Sequence, residues 1–154
     1  MIGGKPIQGE IAVSAADNKK LMETIFAGII AGDRTLWRDT LADDVIMTVT
    51  GQYSWSQTFY GKEVVLRDLY GYVQSLLKEN RRTVPFRFIA DDEWVVVEAG
   101  GDMETKTGER YDNHYCLIYR IEGGKIREIR EYQDSTLCER VLGPFPAERK
   151  GAAG

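Results

Sequence analysis

The fold class is decided by the stretch YDNHYCLIYRIEGGKIREIREYQD, which spans residues 111–134. Two segments of alternating side chains, 111–121 and 125–134, flank a glycine-rich turn, and this is the pattern of two antiparallel strands. The first segment has one face that is richer in apolar and aromatic residues and should look toward the core: Tyr111, Asn113, Tyr115, Leu117 and Tyr119. The amide and hydroxyl groups on this face either bond one another and the backbone or line a pocket.

The second segment, 125–134, alternates less cleanly. Its apolar residues Ile126 and Tyr132 have one parity, whereas Ile129 has the other. A regular strand would turn Ile126 and Tyr132 inward, but a β-bulge would switch the face and turn Ile129 and Glu131 inward. The periodicity leaves both registers open. In the first, Glu131 belongs to a solvated run of charges, and in the second it is a carboxylate that faces the interior.

The residues before this stretch show helical patterns first and strand patterns afterwards. Apolar spacing predicts one helix after Ser14 and Asp17, a short second helix after Asp33, and a third that contains Leu69 and Val73. Strands are predicted over 45–50, 83–89 and 94–104. The aromatic segment 51–61 is expected to be a loop and a candidate lid. This order predicts an α+β fold, in which helices pack on one face of a curved, mainly antiparallel sheet.

The length and charge of the chain restrict its function class. Its 154 residues fit one domain, which we place at 17–143 between a flexible lead (1–16) and a flexible tail (144–154). The net charge of −4 argues against nucleic-acid binding, because neutralising phosphates requires a basic face. The chain shows no signal-peptide core and no run long enough for a membrane span. We therefore expect a cytoplasmic protein that binds neither nucleic acid nor membrane.

Motifs for cofactors and metals are absent from the sequence. It contains no dinucleotide-binding glycine motif, no Walker loop, no HExxH and a single histidine, His114. His114 and Cys116 share the face opposite Asn113 and Tyr115, and we interpret them as surface or packing residues. The two cysteines form no disulfide framework. The sequence thus predicts no cofactor and no metal.

Both faces of the predicted strands carry apolar residues. In the strand that begins at Trp94, Trp94 and Val96 point to one side, while Val95 and Val97 point to the other. One face can enclose a pocket with the helices, but the other needs a second cover. We expect a second copy of the chain to provide it, which would make a homodimer, although a long loop would serve the same purpose.

The chain resembles the SnoaL-like branch of the nuclear transport factor 2-like superfamily. The resemblance lies in the order of the elements, from about Asp17 to Gly143, and in four motifs: Tyr111-Asp112-Asn113-His114-Tyr115, Gly124-Lys125-Ile126, Arg130-Glu131-Tyr132-Gln133-Asp134 and Leu142-Gly143. The branch includes polyketide cyclases and enzymes similar to ketosteroid isomerase and limonene epoxide hydrolase. It implies a cystatin-like α+β barrel, a cone of helices over a bent sheet, with an apolar cavity inside and usually a dimeric assembly.

The resemblance also implies roles for particular residues. Glu131 would be the general acid or base that faces the cavity, which favours the bulged register, and Tyr115 and Asn113 would donate to a developing enolate oxygen. Glu98 either meets Glu131 across the cavity or pairs with an arginine. An apolar wall is expected from residues that core packing would explain equally well: Trp37, Met47, Val49, Trp55, Phe59, Leu69 and Val73.

The implied function is that of a cofactor-independent isomerase, cyclase or dehydratase that moves a proton on a small hydrophobic carbonyl compound. Two alternatives stay open. The same fold can be a non-catalytic module that binds a small molecule or docks a partner. An epoxide-hydrolase-like enzyme would require an arginine beside Glu131, for which Arg110 and Arg87 are the candidates.

Overall fold

The computed structural model describes residues 14–149. Its helices are α1 (Ala15–Ile30), α2 (Thr35–Thr40), α3 (Lys62–Val64), α4 (Gly71–Leu76) and α5 (Ser135–Leu142), with a π-helical segment (Val65–Tyr70) that joins α3 to α4 and a final 3-10 turn (Ala147–Arg149). Its strands are β1 (Leu41–Val49), β2 (Gln57–Tyr60), β3 (Arg82–Asp91), β4 (Trp94–Asp102), β5 (His114–Glu122) and β6 (Lys125–Gln133). Helices and strands occur in the predicted order, which confirms the α+β class.

One six-stranded mixed sheet organises the protein, with the strand order β2-β1-β6-β5-β4-β3. β1 and β6 run parallel, and all other neighbours are antiparallel. The sheet is not closed, since β2 and β3 form its edges, and α1 packs across β3 and β4. Helices over a mainly antiparallel sheet are therefore confirmed. None of the helices within residues 14–149 has the length and apolar character needed to cross a membrane.

The first helix begins at the capping signal in the sequence. The Ser14 side chain accepts a hydrogen bond from the backbone N–H of Asp17, and the Asp17 carboxylate accepts one from the backbone N–H of Ser14, both at 3.1 Å. This reciprocal pair satisfies donors that the start of a helix leaves free. Of the predicted flexible lead over 1–16, residues 1–13 lie outside the described part of the chain. The remaining three are the capping residue Ser14 and the first two residues of α1.

The segment 51–61 is only in part the loop that its composition predicts, since residues 51–56 form bends and turns. Its second half forms β2, which pairs with β1 and buries Phe59. Ahead of this strand, Trp55 is also buried, and its indole N–H donates to the carbonyl oxygen of Gly143 at 2.9 Å. The lid interpretation is wrong, because the segment is bonded into the fold. A strand of four residues is too short to show a clear alternation in the sequence.

The packed part of the chain extends past Gly143, the predicted end of the domain. Phe145 is buried, and its ring centroid lies 4.9 Å from that of Trp55 and 5.5 Å from that of Tyr72. The second residue of the predicted tail over 144–154 therefore completes an aromatic cluster, and the last five residues of that tail lie outside the described part.

A β-bulge resolves the ambiguity over 125–134. The pairing of β6 with β5 shifts beside Arg127, which is the extra residue of β6. Ile126 and Ile129 are both buried on the inner face, whereas Tyr132 is 45% exposed on the outer face. The bulged register is therefore the one that forms, and it turns Glu131 inward.

Candidate active site

A cavity of about 140 Å³ lies between the inner face of the sheet and the helices. Most of its wall is apolar or aromatic and includes Phe26, Trp37, Trp55, Leu69, Val73 and Leu117. The polar part of the wall consists mainly of tyrosines, Gln133, three arginines and Glu131. An apolar pocket with a few convergent polar groups is the usual form of a small-molecule site.

Glu131 is fixed near the middle of the sheet by both neighbouring strands. It pairs with Val49 of β1 and with Leu117 of β5. Its carbonyl oxygen accepts hydrogen bonds from the backbone N–H of Thr50 at 3.1 Å and from the Thr50 hydroxyl at 2.9 Å. The backbone is thus held on both sides, and the side chain projects into the cavity, which accounts for its partial exposure.

The carboxyl group of Glu131 has no partner that compensates for its burial. Burial raises its pKa to about 7, and no ion pair or hydrogen bond from the described residues opposes this shift. A charged carboxylate in a site of low dielectric constant is disfavoured when no donor stabilises it. At neutral pH the group is therefore close to half protonated, a state that allows it to take up and return a proton.

Three tyrosines that line the same cavity are influenced by the charge of this carboxyl group. Burial raises the pKa of Tyr70, Tyr115 and Tyr119, and the nearby charge of Glu131 raises it further. Their hydroxyl groups stay protonated at neutral pH and can donate hydrogen bonds. Tyr70 belongs to the π-helical segment, whereas Tyr115 and Tyr119 belong to β5. Donors therefore approach the cavity from the helical side and from the sheet.

Asn113 is fully buried and belongs to a structural network. Its amide N–H groups lie 3.0 Å from the Tyr111 hydroxyl, 3.2 Å from Gln133 Oε1 and 3.1 Å from the carbonyl oxygen of Asp134. Its side-chain oxygen accepts from the backbone N–H of Asp134 at 3.0 Å. Asn113 does not line the cavity, so it has no free donor for a substrate. It is instead a positioning residue for Tyr111 and Gln133, which do line the cavity.

Four of the seven residues predicted for the apolar wall line the cavity: Trp37, Trp55, Leu69 and Val73. The other three, Met47, Val49 and Phe59, are buried in the core and do not border the cavity. Alternation identifies which residues face inward. It does not identify which inward residues border an empty space, because that depends on the bulk of side chains from other elements.

Glu98 lies on the outer face of β4, away from the cavity. Its carboxylate forms an ion pair with Arg87, with an N···O distance of 3.1 Å. The two faces of β4 are similarly apolar in the sequence, and the inner face is that of the fully buried Val95 and Val97. The expected pair of carboxylates is therefore not formed. Among the residues that line the cavity, Glu131 is the one carboxylate.

The arginines that an epoxide-hydrolase-like site would need are engaged elsewhere. Arg110 bonds to Asp102 and Asp112, each at 2.6 Å, and Arg87 is held on the outer face. Neither residue lines the cavity. The arrangement that this alternative requires is not formed by either candidate.

Sequence reasoning does not find three arginines that line one end of the cavity. Arg34 precedes α2, Arg38 lies within it, and Arg81 precedes β3. Arg34 and Arg38 are four residues apart, which is the one sequence signal that places them on the same side of a short helix. Arg81 is remote in sequence, and only the folding of the chain brings it to them.

The other reactive side chains of the site are thiol and hydroxyl groups. Cys138 lines the cavity, and burial raises the pKa of its thiol to about 12. Within residues 14–149 there is no group of three or more His, Cys, Asp or Glu side chains placed to hold a metal ion. The groups available for chemistry in the cavity are therefore one carboxyl group, several tyrosine hydroxyl groups and the guanidinium groups of three arginines.

Fold and site together define a class of protein, an open α+β cone with one buried acid in an apolar cavity. A nuclear transport factor 2-like protein from Burkholderia xenovorans LB400 has the same fold, with a TM-score of 0.66 and 20% identity over 84% of this chain and 98% of that chain. A proposed SnoaL-like polyketide cyclase from Jannaschia sp. CCS1 has the same fold, with a TM-score of 0.69 and 14% identity over 90% of this chain and 99% of that chain. For a proposed isomerase from Bacillus subtilis the TM-score is 0.65 and the identity is 17%, over 86% of this chain and 98% of that chain. At these identities the likeness is one of fold.

The family follows from the sequence itself. A family model described as a SnoaL-like domain matches residues 22–129. The chain therefore belongs to the SnoaL-like family of the nuclear transport factor 2-like superfamily, as its motifs predict. No curated protein matches the chain significantly in sequence. Because one fold hosts many activities, the reaction has to be argued from the residues of the cavity.

Proposed function

We propose that the protein is a cofactor-independent enzyme that moves a proton on a small hydrophobic carbonyl compound in the cytoplasm, in an isomerisation, a cyclisation or a dehydration. The observation that carries this proposal is the carboxyl group of Glu131, which has a pKa of about 7 and lies in an apolar cavity beside tyrosine hydroxyl groups. The proposed activities of the cyclase and the isomerase with the same fold are compatible with it.

In the proposed reaction, ionised Glu131 removes a proton from the carbon next to the substrate carbonyl. The electron pair of that C–H bond forms a carbon–carbon double bond, and the carbonyl oxygen becomes an enolate oxygen. Tyr115 donates a hydrogen bond to this oxygen, and Tyr70 and Tyr119 are further donors on the same wall. Where the substrate carries a carbon–carbon double bond beside the deprotonated carbon, the product is a dienolate, and return of the proton from Glu131 to the far carbon of that double bond shifts the double bond and completes an isomerisation.

Ring closure and dehydration use the same proton. For ring closure, the enolate carbon attacks a second carbonyl carbon of the substrate, and Glu131 returns its proton to the new alkoxide oxygen. For dehydration, the enolate expels a hydroxyl group from the neighbouring carbon, and the proton of Glu131 leaves with it as water. All three reactions need one group that works first as a base and then as an acid.

The apolar wall makes Glu131 a stronger base than an ordinary glutamate. A solvated glutamate has a pKa near 4.5 and is a weak base for a C–H bond, whereas catalysis is most efficient when the pKa lies near the working pH. Trp37, Leu69 and Val73 remove water from the surroundings of the carboxyl group. The dry site also protects an enolate from unwanted protonation by solvent.

Deuterium exchange tests proton removal without knowledge of the natural substrate. In D2O the protein should accelerate deuterium incorporation next to the carbonyl of 2-tetralone, a small apolar ketone, as followed by proton NMR. Glu131→Gln should abolish the acceleration, and Tyr115→Phe should lower it by about 100-fold. Glu98→Gln is the matched control, because this carboxylate is ion-paired on the outer face. It should leave the rate unchanged.

Two results would overturn the proposal. A Glu131→Gln variant that is folded by circular dichroism and still catalyses exchange would remove Glu131 from the mechanism. A wild-type protein that binds 2-tetralone, seen as quenching of the fluorescence of Trp37 and Trp55, but does not accelerate exchange would instead be a binding module.

A further inference from the structure

The three arginines at one end of the cavity, Arg34, Arg38 and Arg81, are here called the rim arginines. All three line the same cavity as Glu131. Arg38 is exposed, whereas Arg34 and Arg81 are half-buried, so this end of the cavity is where solvent meets the interior. The guanidinium of Arg34 donates to the carbonyl oxygen of Arg81 at 2.7 Å, which ties the two segments together.

The rim arginines lack the acidic partners that most other arginines of the described chain have. Within residues 14–149, no carboxylate lies within 4.0 Å of any of the three, whereas Arg87 on the outer face is paired with Glu98 at 3.1 Å. Two acids influence the cluster without forming an ion pair with it: Glu79 raises the pKa of Arg81, and Arg38 contributes to the lowered pKa of Asp33. Three cations therefore converge at the opening of a cavity in a chain whose net charge is −4.

The rim arginines also destabilise one another. Burial lowers the pKa of Arg34, and the neighbouring charges of Arg81 and Arg38 lower it further. Burial likewise lowers the pKa of Arg81, and Arg38 contributes to the decrease. Arginine stays protonated despite such shifts, so the cluster keeps its charge and its mutual repulsion. An anion bound among the three would offset both the cost of burying these charges and their mutual repulsion.

Glu131 does not provide this anion. Within residues 14–149, no arginine nitrogen lies within 4.0 Å of its carboxylate oxygens, and burial is the cause of its raised pKa. The cavity therefore has two separate polar parts, an acid inside and cations at the opening, and neither forms an ion pair within the described residues.

We propose that the rim arginines bind a carboxylate group on the substrate, whose carbonyl end reaches Glu131 through the apolar part of the cavity. The substrate class is then a hydrophobic keto acid. This inference rests on the proposed function for the keto group and on the rim arginines for the acid group. A planar guanidinium binds a carboxylate through two parallel hydrogen bonds, and several such donors at a partly desolvated opening select an acid over its neutral analogue.

Binding of matched acid and amide probes tests this inference separately from catalysis. 2-Naphthylacetate and 2-naphthylacetamide differ in charge but hardly in shape, and their dissociation constants can be measured by isothermal titration calorimetry. The wild-type protein should bind the acid at least ~10-fold more tightly than the amide. Arg81→Gln should remove most of this preference, and Arg38→Gln should reduce it. Arg82→Gln, an equal charge change at an exposed neighbour that does not line the cavity, should leave it intact.

The outcomes separate this inference from the proposed function. Equal binding of acid and amide by the wild-type protein would overturn it, and so would an equal loss of preference in Arg82→Gln and Arg81→Gln. Tighter binding of 2-naphthyl phosphate than of 2-naphthylacetate would replace the carboxylate by a phosphate. Glu131→Gln should keep the preference for the acid. If that variant also kept deuterium exchange, the catalytic proposal would fail while the assignment of the rim arginines would stand.

Discussion

At the scale of single residues, Glu131 contributes chemistry at a cost in stability. Its carboxyl group has a pKa of about 7 in the folded protein, compared with 4.5 for an unperturbed glutamate. Between these pH values the folded state binds more protons than the unfolded state, so the free energy of unfolding decreases as the pH rises. The stabilising contribution is fully present below pH 4.5 and is lost as the pH rises through 7.

We therefore predict that Glu131→Gln is more stable than the wild-type protein at pH 8 and of similar stability at pH 4.5. The difference at pH 8 should be about 3 kcal/mol at most, since the Glu131 side chain borders a cavity and is partly exposed. Urea denaturation at both pH values measures it. Other groups change the free energy of unfolding with pH in the opposite direction, such as Asp112, whose pKa is lowered by Arg110. Their contribution is the same in both proteins, so it cancels when the two are compared at one pH. A wild-type protein that is the more stable of the two at pH 8 would contradict the burial of Glu131.

The same scale shows why the sequence identifies one acid of the site and misplaces another. Glu131 follows a family motif and a strand whose irregular alternation admits an inward position. Glu98 lies on a strand whose two faces are both apolar, so its sequence does not distinguish the inner face from the outer one. The distinction is made by α1, which packs against β3 and β4 from one side.

At the scale of elements, the β-bulge of β6 and the turn after α1 position the site. A one-residue bulge is visible in the sequence as a change of parity between Ile126 and Ile129, but a change of parity also fits a solvated strand. The turn after α1 leaves a clearer signal in Gly28 and Gly32. Gly32 adopts a φ of 85°, the left-handed region in which a side chain is strained.

We predict that Gly28→Ala destabilises the fold, although alanine is normally favoured within a helix by about 1 kcal/mol. The chain turns back so tightly that a Cβ at this position would lie 2.8 Å from the carbonyl oxygen of Asp33. Because a backbone atom has to move, we expect the free energy of unfolding to fall by about 1–3 kcal/mol in urea denaturation. The same turn carries Arg34, so the variant should also bind 2-naphthylacetate more weakly. An increase in stability would mean that the turn can relax without cost.

At the scale of the whole molecule, the parallel pairing of β1 with β6 is the feature that local patterns do not predict. It brings an early strand beside the last one, so that Val49 is the neighbour of Glu131. The packing of α1 on β3 is a second such contact, and it brings Arg34 to Arg81. The order of helices and strands follows from periodicity, but the cavity depends on contacts between elements far apart in sequence.

The outer face of the sheet is the second feature of the whole molecule. Exposed apolar side chains are concentrated there, with exposed fractions of 63% for Phe86, 52% for Ile89, 45% for Tyr132 and 40% for Val84. Charged residues on the same face are paired, as in Arg87 with Glu98. Contiguous exposed apolar residues with paired charges beside them are typical of a protein interface.

We predict that a second copy of the chain covers this face and that Phe86→Glu combined with Ile89→Glu makes the protein monomeric. Both positions are exposed in the single chain, so the new charges should not affect its fold, but in an interface they would be buried without partners. Sedimentation velocity at micromolar concentration should give a dimer for the wild-type protein and a monomer for the double variant. Leu36→Glu, at an exposed apolar position on α2 away from the sheet, should remain dimeric. A monomeric wild-type protein, or a double variant that stays dimeric, would place the contact elsewhere or remove it.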